Sequence, residues 1–144
     1  MLYTSNAIRS VYLSKLNGNL SIDGRNVVVY GQTPFETPGE QYAIITSITE
    51  TPIEENNHKF ITQVDVNIDI FIEQYRFYDN SKVDSVSNQI LNILIPTNTM
   101  TDIGNADFEI YVIRRTASRY LPLESGQNFV SRKIITLRNF VKQK

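Results

Sequence analysis

The side chains that could carry out chemistry are few in this sequence and far apart. His58 is the only histidine in the sequence, and the sequence contains no cysteine. The lack of cysteine excludes disulfides, thiolate zinc sites and cysteine nucleophiles. One histidine leaves at most one catalytic base of that type. Because His58 stands among polar residues ahead of a strongly patterned segment, we interpret it as a solvated turn residue.

Carboxylates are the remaining candidates for acid–base or metal chemistry. Asp65 and Asp69 share one face of a predicted strand with Asn67. Residues four apart on a strand are separated by roughly 13 Å, whereas paired catalytic carboxylates need about 5–9.5 Å. Gly-x-Ser-x-Gly, Walker-loop and Gly-x-Gly-x-x-Gly motifs are absent. We therefore predict no catalytic residue, no metal site, no cofactor and no enzymatic activity.

The polar face of this strand has two interpretations. It is either a solvated sheet surface or the wall of a channel or interface. Under the second interpretation, the residues that face the lumen are Asp65, Asn67, Asp69 and Glu73.

Two further groups of residues are candidates for contact with a partner. Phe35 stands among prolines and glycines in residues 31–40, where it is either an exposed anchor or folded back on the sheet edge. The basic residues near the end of the chain are Arg114, Arg115, Arg119, Arg132, Lys133 and Arg138. These could bind nucleic acid with the help of nearby aromatics, but acidic neighbours dilute the patch. Arginine is also favoured at protein interfaces, so salt bridges to a neighbouring subunit explain the group more simply.

The bulk composition is that of an ordinary globular chain. The 144 residues are 41% hydrophobic and carry a net charge of −1. This length is typical of one domain, and we assign residues 1–144 to one. The near-zero charge gives no overall attraction to nucleic acid. No run approaches the 18 apolar residues of a membrane span, so we expect no membrane contact.

The elements that must position these side chains follow from periodicity and turn signals. The longest signal is strict alternation over residues 60–73, which predicts a long antiparallel strand with one buried face. Other predicted elements are a helix over 5–17, a hairpin around Asp23-Gly24, strands over 42–49, 108–112 and 129–141, and a helix capped by Ser81 and ended by Pro96. Residues 51–57 are predicted as a polar turn and 114–128 as a bend or loop.

Together these elements predict an α+β fold. It is a mainly antiparallel sheet with two helices packed on one face. The strands around 58–73 and 129–142 exceed the usual 3–10 residues. They are therefore expected to protrude, alone or as a hairpin, onto a neighbouring subunit.

The order and local character of these elements resemble a known family. Val-Val-Val-Tyr at 27–30 leads into Gln-Thr-Pro at 32–34, and Gln-Tyr-Ala-Ile-Ile at 41–45 precedes the long alternating strand. A helix with Ser-Asn-Gln-Ile-Leu at 87–91 follows. Over residues 5–95 the chain resembles the tail-terminator and tail-completion proteins of tailed bacteriophages. The strand pair over 107–142 is longer than the family pattern.

The resemblance implies a structural virion protein without catalytic residues. Such proteins form a homomeric ring, a hexamer with a dodecamer as the alternative, between the connector on the portal side and the tail tube. The ring surrounds a lumen that DNA passes through transiently. The implied location is the neck or tail of the virion, with assembly in the bacterial cytoplasm. In that setting an acidic wall of Asp65, Asp69 and Glu73 would repel DNA phosphates and let DNA slide.

Two other functions remain open from the residues alone. The chain could be an α+β module that binds nucleic acid or another ligand through its basic C-terminal strand. It could also be an enzyme, although no nucleophile–base pair or metal set is visible.

Overall fold

A computed structural model describes residues 4–34, 36, 39–55, 60–74, 79–95, 103–104, 108–125 and 128–143. The helices are α1 (Ser5–Leu16) and α2 (Asn80–Leu94). The strands are β1 (Ser21–Ile22), β2 (Arg25–Asn26), β3 (Val28–Tyr30), β4 (Gln41–Glu55), β5 (Phe60–Gln74), β6 (Ile103–Gly104), β7 (Phe108–Tyr120), β8 (Leu123–Ser125) and β9 (Asn128–Gln143). Phe35 and His58 lie outside the described residues.

One mixed sheet dominates the fold. Its strand order is β3-β4-β5-β9-β7-β6, and β8 pairs with β9 beside this row. All of these pairings are antiparallel except that of β3 with β4, which is parallel. The predicted α+β fold with a mainly antiparallel sheet is confirmed.

The alternation in β5 decides which face of the sheet is buried. Val64, Val66, Ile68 and Ile70 are fully buried, and they belong to one core cluster with residues of both helices. The helix residues in this cluster are Ile8, Tyr12 and Leu16 of α1 and Val83, Val86, Ile90 and Leu94 of α2. Both helices therefore pack on one face, called the helix face below. The opposite face, which carries the odd-numbered residues of β5 and the even-numbered residues of β9, is called the open face.

The start of α2 differs from the sequence prediction by two residues. Asp79 is the N-cap, and its side chain accepts a hydrogen bond from the backbone N–H of Ser81 at 2.9 Å. Ser81 therefore lies inside the helix, because Asp79 is itself a good cap and stands earlier. This contact also lowers the pKa of Asp79.

Of the described residues, none forms a helix long and apolar enough to cross a membrane.

Two segments predicted as turns are strand. Thr51 to Glu55 continue β4, and β7 runs on through Arg114, Arg115 and Arg119 to Tyr120. Pro52 is tolerated because at that point β4 pairs only with β5 among the described strands, and an edge strand can lack one N–H. The strand is interrupted at Leu121 and Pro122, where the Leu121 N–H donates to the Arg132 carbonyl at 2.9 Å, and β8 then continues in the same direction along β9.

The predicted hairpin around Asp23-Gly24 is short, with two residues in each strand. Both residues have positive φ, 53° and 77°, as a tight two-residue turn requires. The turn joins β1 to β2, but residues 28–30 leave the hairpin and pair in parallel with β4.

Candidate assembly surfaces

The open face is lined by polar side chains that bond across strands. On β5 it carries the four candidate lumen residues, Asp65, Asn67, Asp69 and Glu73. The neighbouring strand β9 places Arg132, Thr136 and Arg138 on the same face. Residues that the sequence assigned to two different surfaces therefore lie side by side.

Asp69 and Arg132 form the closest ion pair of this face. Arg132 Nε donates to Asp69 Oδ1 at 2.9 Å, and Arg132 Nη2 donates to Asp69 Oδ2 at 2.6 Å. Asp69 is only 2% exposed although it lies on the face opposite the two described helices. The two-point hydrogen bond that Arg132 donates to Asp69 raises the pKa of Arg132. A buried carboxylate is stable here because its charge is fully paired.

A row of aromatic rings continues from this ion pair. The Arg132 guanidinium lies 5.1 Å from the ring centre of Phe71. Phe71 stacks on Tyr42 with ring centres 4.8 Å apart, and Tyr42 meets Tyr30 edge-on at 6.3 Å. Burial raises the pKa of Tyr42, and the Asp69 carboxylate raises it further. The Phe71 ring attracts the guanidinium through a cation–π contact.

Further polar pairs connect neighbouring strands on the open face. Arg138 Nε donates to Asp65 Oδ1 at 3.0 Å. Asn67 accepts from Thr136 at 2.6 Å and donates to Ser47 Oγ at 2.7 Å. Both aspartates of the candidate lumen face are thus neutralised by arginines. The acidic wall expected from the sequence is a charge-balanced wall at these positions.

The six basic residues do not form one patch. Arg114 and Arg119 join Arg132 and Arg138 on the open face, whereas Arg115 and Lys133 belong to the helix-face side of their strands. Arg114 lies opposite Arg138, and its guanidinium is 5.9 Å from the ring centre of Phe140.

Lys133 connects the sheet to α2 through an ion pair with Asp84. Lys133 Nζ donates to Asp84 Oδ1 at 2.8 Å, and the Tyr120 hydroxyl donates to the same oxygen at 2.5 Å. Partial burial would raise the pKa of Asp84, but these two hydrogen bonds lower it below its usual value. This contact explains why a lysine that is 8% exposed is tolerated there.

Both long borders of the sheet are open over part of their length. Strand β3 pairs with β4 only at residues 42–44, and β6 pairs with β7 only at 109–110. Among the described residues, no strand pairs with the outer side of β4 over 46–55 or of β7 over 112–120. We call these two segments the β4 edge and the β7 edge.

A shallow depression of about 450 Å³ lies on the open face. Its lining spans four strands and includes Thr46, Asn67, Arg119 and Thr136. These groups can hydrogen-bond or attract an anion, but they contain no nucleophile paired with a base. In the described ranges, no three histidine, cysteine or carboxylate residues converge as a metal site.

Comparison with solved structures identifies a protein of the same fold. The chain matches a chain in the virion of a native gene transfer agent (GTA) particle with a TM-score of 0.73. The match covers 99% of both chains at 11% sequence identity. No protein-family model matches the chain. No curated protein matches it by sequence.

Sequence reasoning missed the cross-strand ion pairs. Asp69 and Arg132 are 63 positions apart, and nothing local indicates that β5 and β9 are neighbours. The available signal was the alternation of β9, which places Arg132, Thr136 and Arg138 on one parity.

Proposed function

We propose that this chain is a structural protein of a phage-like virion. It is one subunit of a homomeric ring at the neck or tail, in the role of a tail terminator or tail-completion protein. The observation that carries the proposal is the fold shared over 99% of both chains with a chain of the GTA virion. A match of this extent takes in the long strands β7 and β9 as well as the region of the family resemblance.

The open sheet borders support an assembly role. An unpaired strand edge is a hazard for a protein that works alone, because it can pair with any other exposed edge. Edges that neighbouring copies cover in a ring present no such hazard. The β4 and β7 edges lie on opposite sides of the sheet, as a subunit with two neighbours needs.

The open face is the candidate wall of the lumen. In this proposal Asp65, Asn67, Asp69 and Glu73 face passing DNA together with the arginines of β9. Because Asp65 and Asp69 are paired with Arg138 and Arg132, this wall would neither repel nor hold DNA strongly. Weak interaction with the phosphates suits a conduit, since tight binding would stop DNA movement.

The proposed partners are the proteins above and below the ring. One side would meet the connector or portal-side protein, and the other would meet the tail tube. Arg114, Arg115 and Arg119 are the basic candidates that take part in no described ion pair. Phe35, which lies outside the described residues, is a further candidate contact residue. In this proposal the protein resides in the virion after assembly in the bacterial cytoplasm.

The first test is the molar mass in solution at several concentrations. Size-exclusion chromatography with light scattering should give a discrete multimer of the 16.5 kDa chain at micromolar concentration. The reading frames beside this one should encode portal, capsid or tail-tube proteins. A monomer at every concentration, from a genome with no virion genes nearby, would contradict the proposal.

A further inference from the structure

The depression on the open face has an excess of one positive charge. Arg119 and Arg132 are the basic residues in its lining, and Asp69 is the acidic one. We propose that this depression binds one phosphodiester group of DNA and that Arg119 is the main contact. The inference rests on the proposed function, and it assigns Arg119 to the wall of the lumen rather than to a protein above or below the ring.

The register of the sheet brings Arg119 to the depression. Arg119 of β7 lies opposite Ile134 of β9, and Ile134 lies opposite Asp69 of β5. In the next row of the same face, Ala117 lies opposite Thr136. Residues opposite each other in an antiparallel pair project from the same side of the sheet. The long Arg119 side chain therefore stands beside the short side chains of Ala117 and Thr136, where the depression of about 450 Å³ lies.

The carboxylate in the depression is not available to Arg119. Both oxygens of Asp69 accept hydrogen bonds from Arg132, and Asp69 is buried beneath that contact. Arg119 is exposed, and within the described part of the chain it forms no ion pair. A guanidinium has five N–H donors and can hold two oxygens of a phosphate with parallel hydrogen bonds. Arg119 can therefore accept an anion without giving up a partner inside the described fold.

Charge and shape favour a phosphate of the DNA backbone over a small free anion. Each backbone phosphate carries one negative charge, which equals the excess charge of the depression. A phosphate monoester carries about 1.5–2 negative charges at pH 7 and would be only partly balanced. The strand β9 pairs on both sides here, so its backbone N–H groups are used in the ladders and cannot enclose a small anion. An open depression with one guanidinium suits a phosphate held on a longer chain.

One such contact in each subunit is compatible with the movement of DNA. Copies related by rotation would each place one Arg119 at the same height around the channel. Each contact contributes a slope of only about −0.9 in log K against log salt. The neighbouring Asp65–Arg138 pair is neutral, so that it adds no further grip.

Two substitutions at the site and one control test the assignment, and each of them lowers the net charge by one. Arg119→Gln removes the guanidinium, and Ala117→Asp places a carboxylate beside it. Both positions are exposed, so neither change should disturb the core. The control is Lys15→Gln, because Lys15 is exposed on α1, which packs on the helix face. Far-ultraviolet circular dichroism verifies that each variant is folded.

The measured quantity is the affinity for a short DNA duplex as a function of salt concentration. For Arg119→Gln and for Ala117→Asp, the slope of log K against log salt should become less steep by about 0.9, the value of one phosphate contact. The double variant should lose little more than either single variant, because both changes act on the same phosphate. Lys15→Gln should leave the slope unchanged. An unchanged slope in Arg119→Gln, or losses that add in the double variant, would overturn the site.

Thiol protection locates the contact without a change of charge. The chain has no native cysteine, so an introduced thiol is unique. At low salt, the duplex should slow the reaction of Ala117→Cys with a maleimide several-fold and leave Ser14→Cys, on α1, unaffected. Inorganic phosphate at the same concentration of phosphate groups should protect neither thiol. Equal protection of Ala117→Cys by inorganic phosphate would refute the assignment to the DNA backbone, and no protection by the duplex would refute the depression as the site.

Failure of this inference is distinguishable from failure of the proposed function. If the unmodified chain assembles into rings but Arg119→Gln binds DNA as the unmodified chain does, only the phosphate site is overturned. If the unmodified chain stays monomeric at every concentration, the ring is overturned, even where the monomer binds DNA through Arg119.

Discussion

Arg132 holds the carboxylate of Asp69 through both of its oxygens, at 2.9 and 2.6 Å, although the two residues are 63 positions apart. The pair joins β5 to β9 at the centre of the sheet. On the open face, this acidic residue proposed for the lumen and this basic residue proposed for an interface therefore neutralise each other's charge. Substitutions here should therefore affect folding before they affect any interaction with DNA.

Replacing Asp69 by asparagine should lower the free energy of unfolding by about 2–4 kcal/mol. The amide would keep the volume but leave the Arg132 guanidinium without a counter-charge, and breaking a buried pair usually costs about 3–5 kcal/mol. The Arg132 side chain is 25% exposed, which reduces the cost. Urea denaturation followed by circular dichroism measures the change.

The matched control is Asp65→Asn. The Asp65–Arg138 pair lies on the same face, but its side chains are 25% and 38% exposed. Because solvent screens an exposed pair, its contribution to stability is small, and Asp65→Asn should lose much less than Asp69→Asn. Equal losses from the two substitutions would show that burial does not distinguish the two pairs.

Tyr12→Phe should destabilise the contact between α1 and the sheet by about 1–3 kcal/mol, the usual cost of a buried polar group left without its partner. The Tyr12 hydroxyl donates to Asn139 Oδ1 at 2.6 Å, and both residues are fully buried. Removal of the hydroxyl leaves this acceptor without its donor. A double-mutant cycle with Asn139→Ala checks the cause. The combined loss should be smaller than the sum of the single losses, and strict additivity would rule out the contact.

Asp84 should make stability depend on pH in the acid range. Its pKa is lowered in the folded chain, so the unfolded chain binds the proton more readily as pH falls. The stabilising contribution is therefore complete above the unfolded pKa of about 3.9, and it is lost as pH falls through the lower folded value. The difference in unfolding free energy between the unmodified chain and Asp84→Asn should be constant near neutrality and shrink below about pH 4.

Tyr120→Phe provides the graded comparison for this effect. It removes one of the two side-chain donors to Asp84 and leaves Lys133 in place. The free energy of unfolding that Tyr120→Phe loses on acidification should lie between the losses of the unmodified chain and of Asp84→Asn. Identical pH profiles for all three proteins would contradict the assignment.

DNA binding by the isolated chain should be weak and only mildly salt-dependent. Among the six basic candidates, Arg132, Lys133 and Arg138 are each committed to a carboxylate, which leaves the three arginines of the β7 edge for phosphates. Each phosphate contact contributes a slope of about −0.9 in log K against log salt, so the total should be about −3. A slope steeper than about −5 would favour the alternative function, a nucleic-acid-binding module that uses the C-terminal strand.

Local patterns in the sequence predicted most of the elements. Alternation in β5 reports directly on a buried face, and it correctly placed Val64 to Ile72 against the helices. The turn at Asp23-Gly24 was also correct, because positive φ at both positions is a local requirement. These features depend only on residues close together in the chain.

Features set by distant pairing were not predictable in the same way. Residues 51–55 contain a proline and residues 114–120 contain several arginines, and these features suggested turns. Pairing of the first segment with β5 and of the second with β9 overrides their weak strand propensity. The parallel pairing of β3 and the neighbouring positions of Asp69 and Arg132 depend on the order of strands in the sheet. No short sequence pattern encodes that order.

In the proposed function, copies of this chain close into a ring around a channel. Negative-stain electron microscopy of the largest species at high concentration is the decisive experiment. We expect annular particles with a central hole and rotational symmetry, six-fold in the hexamer. Monomers or compact dimers without a channel, at every concentration up to near-millimolar, would contradict it.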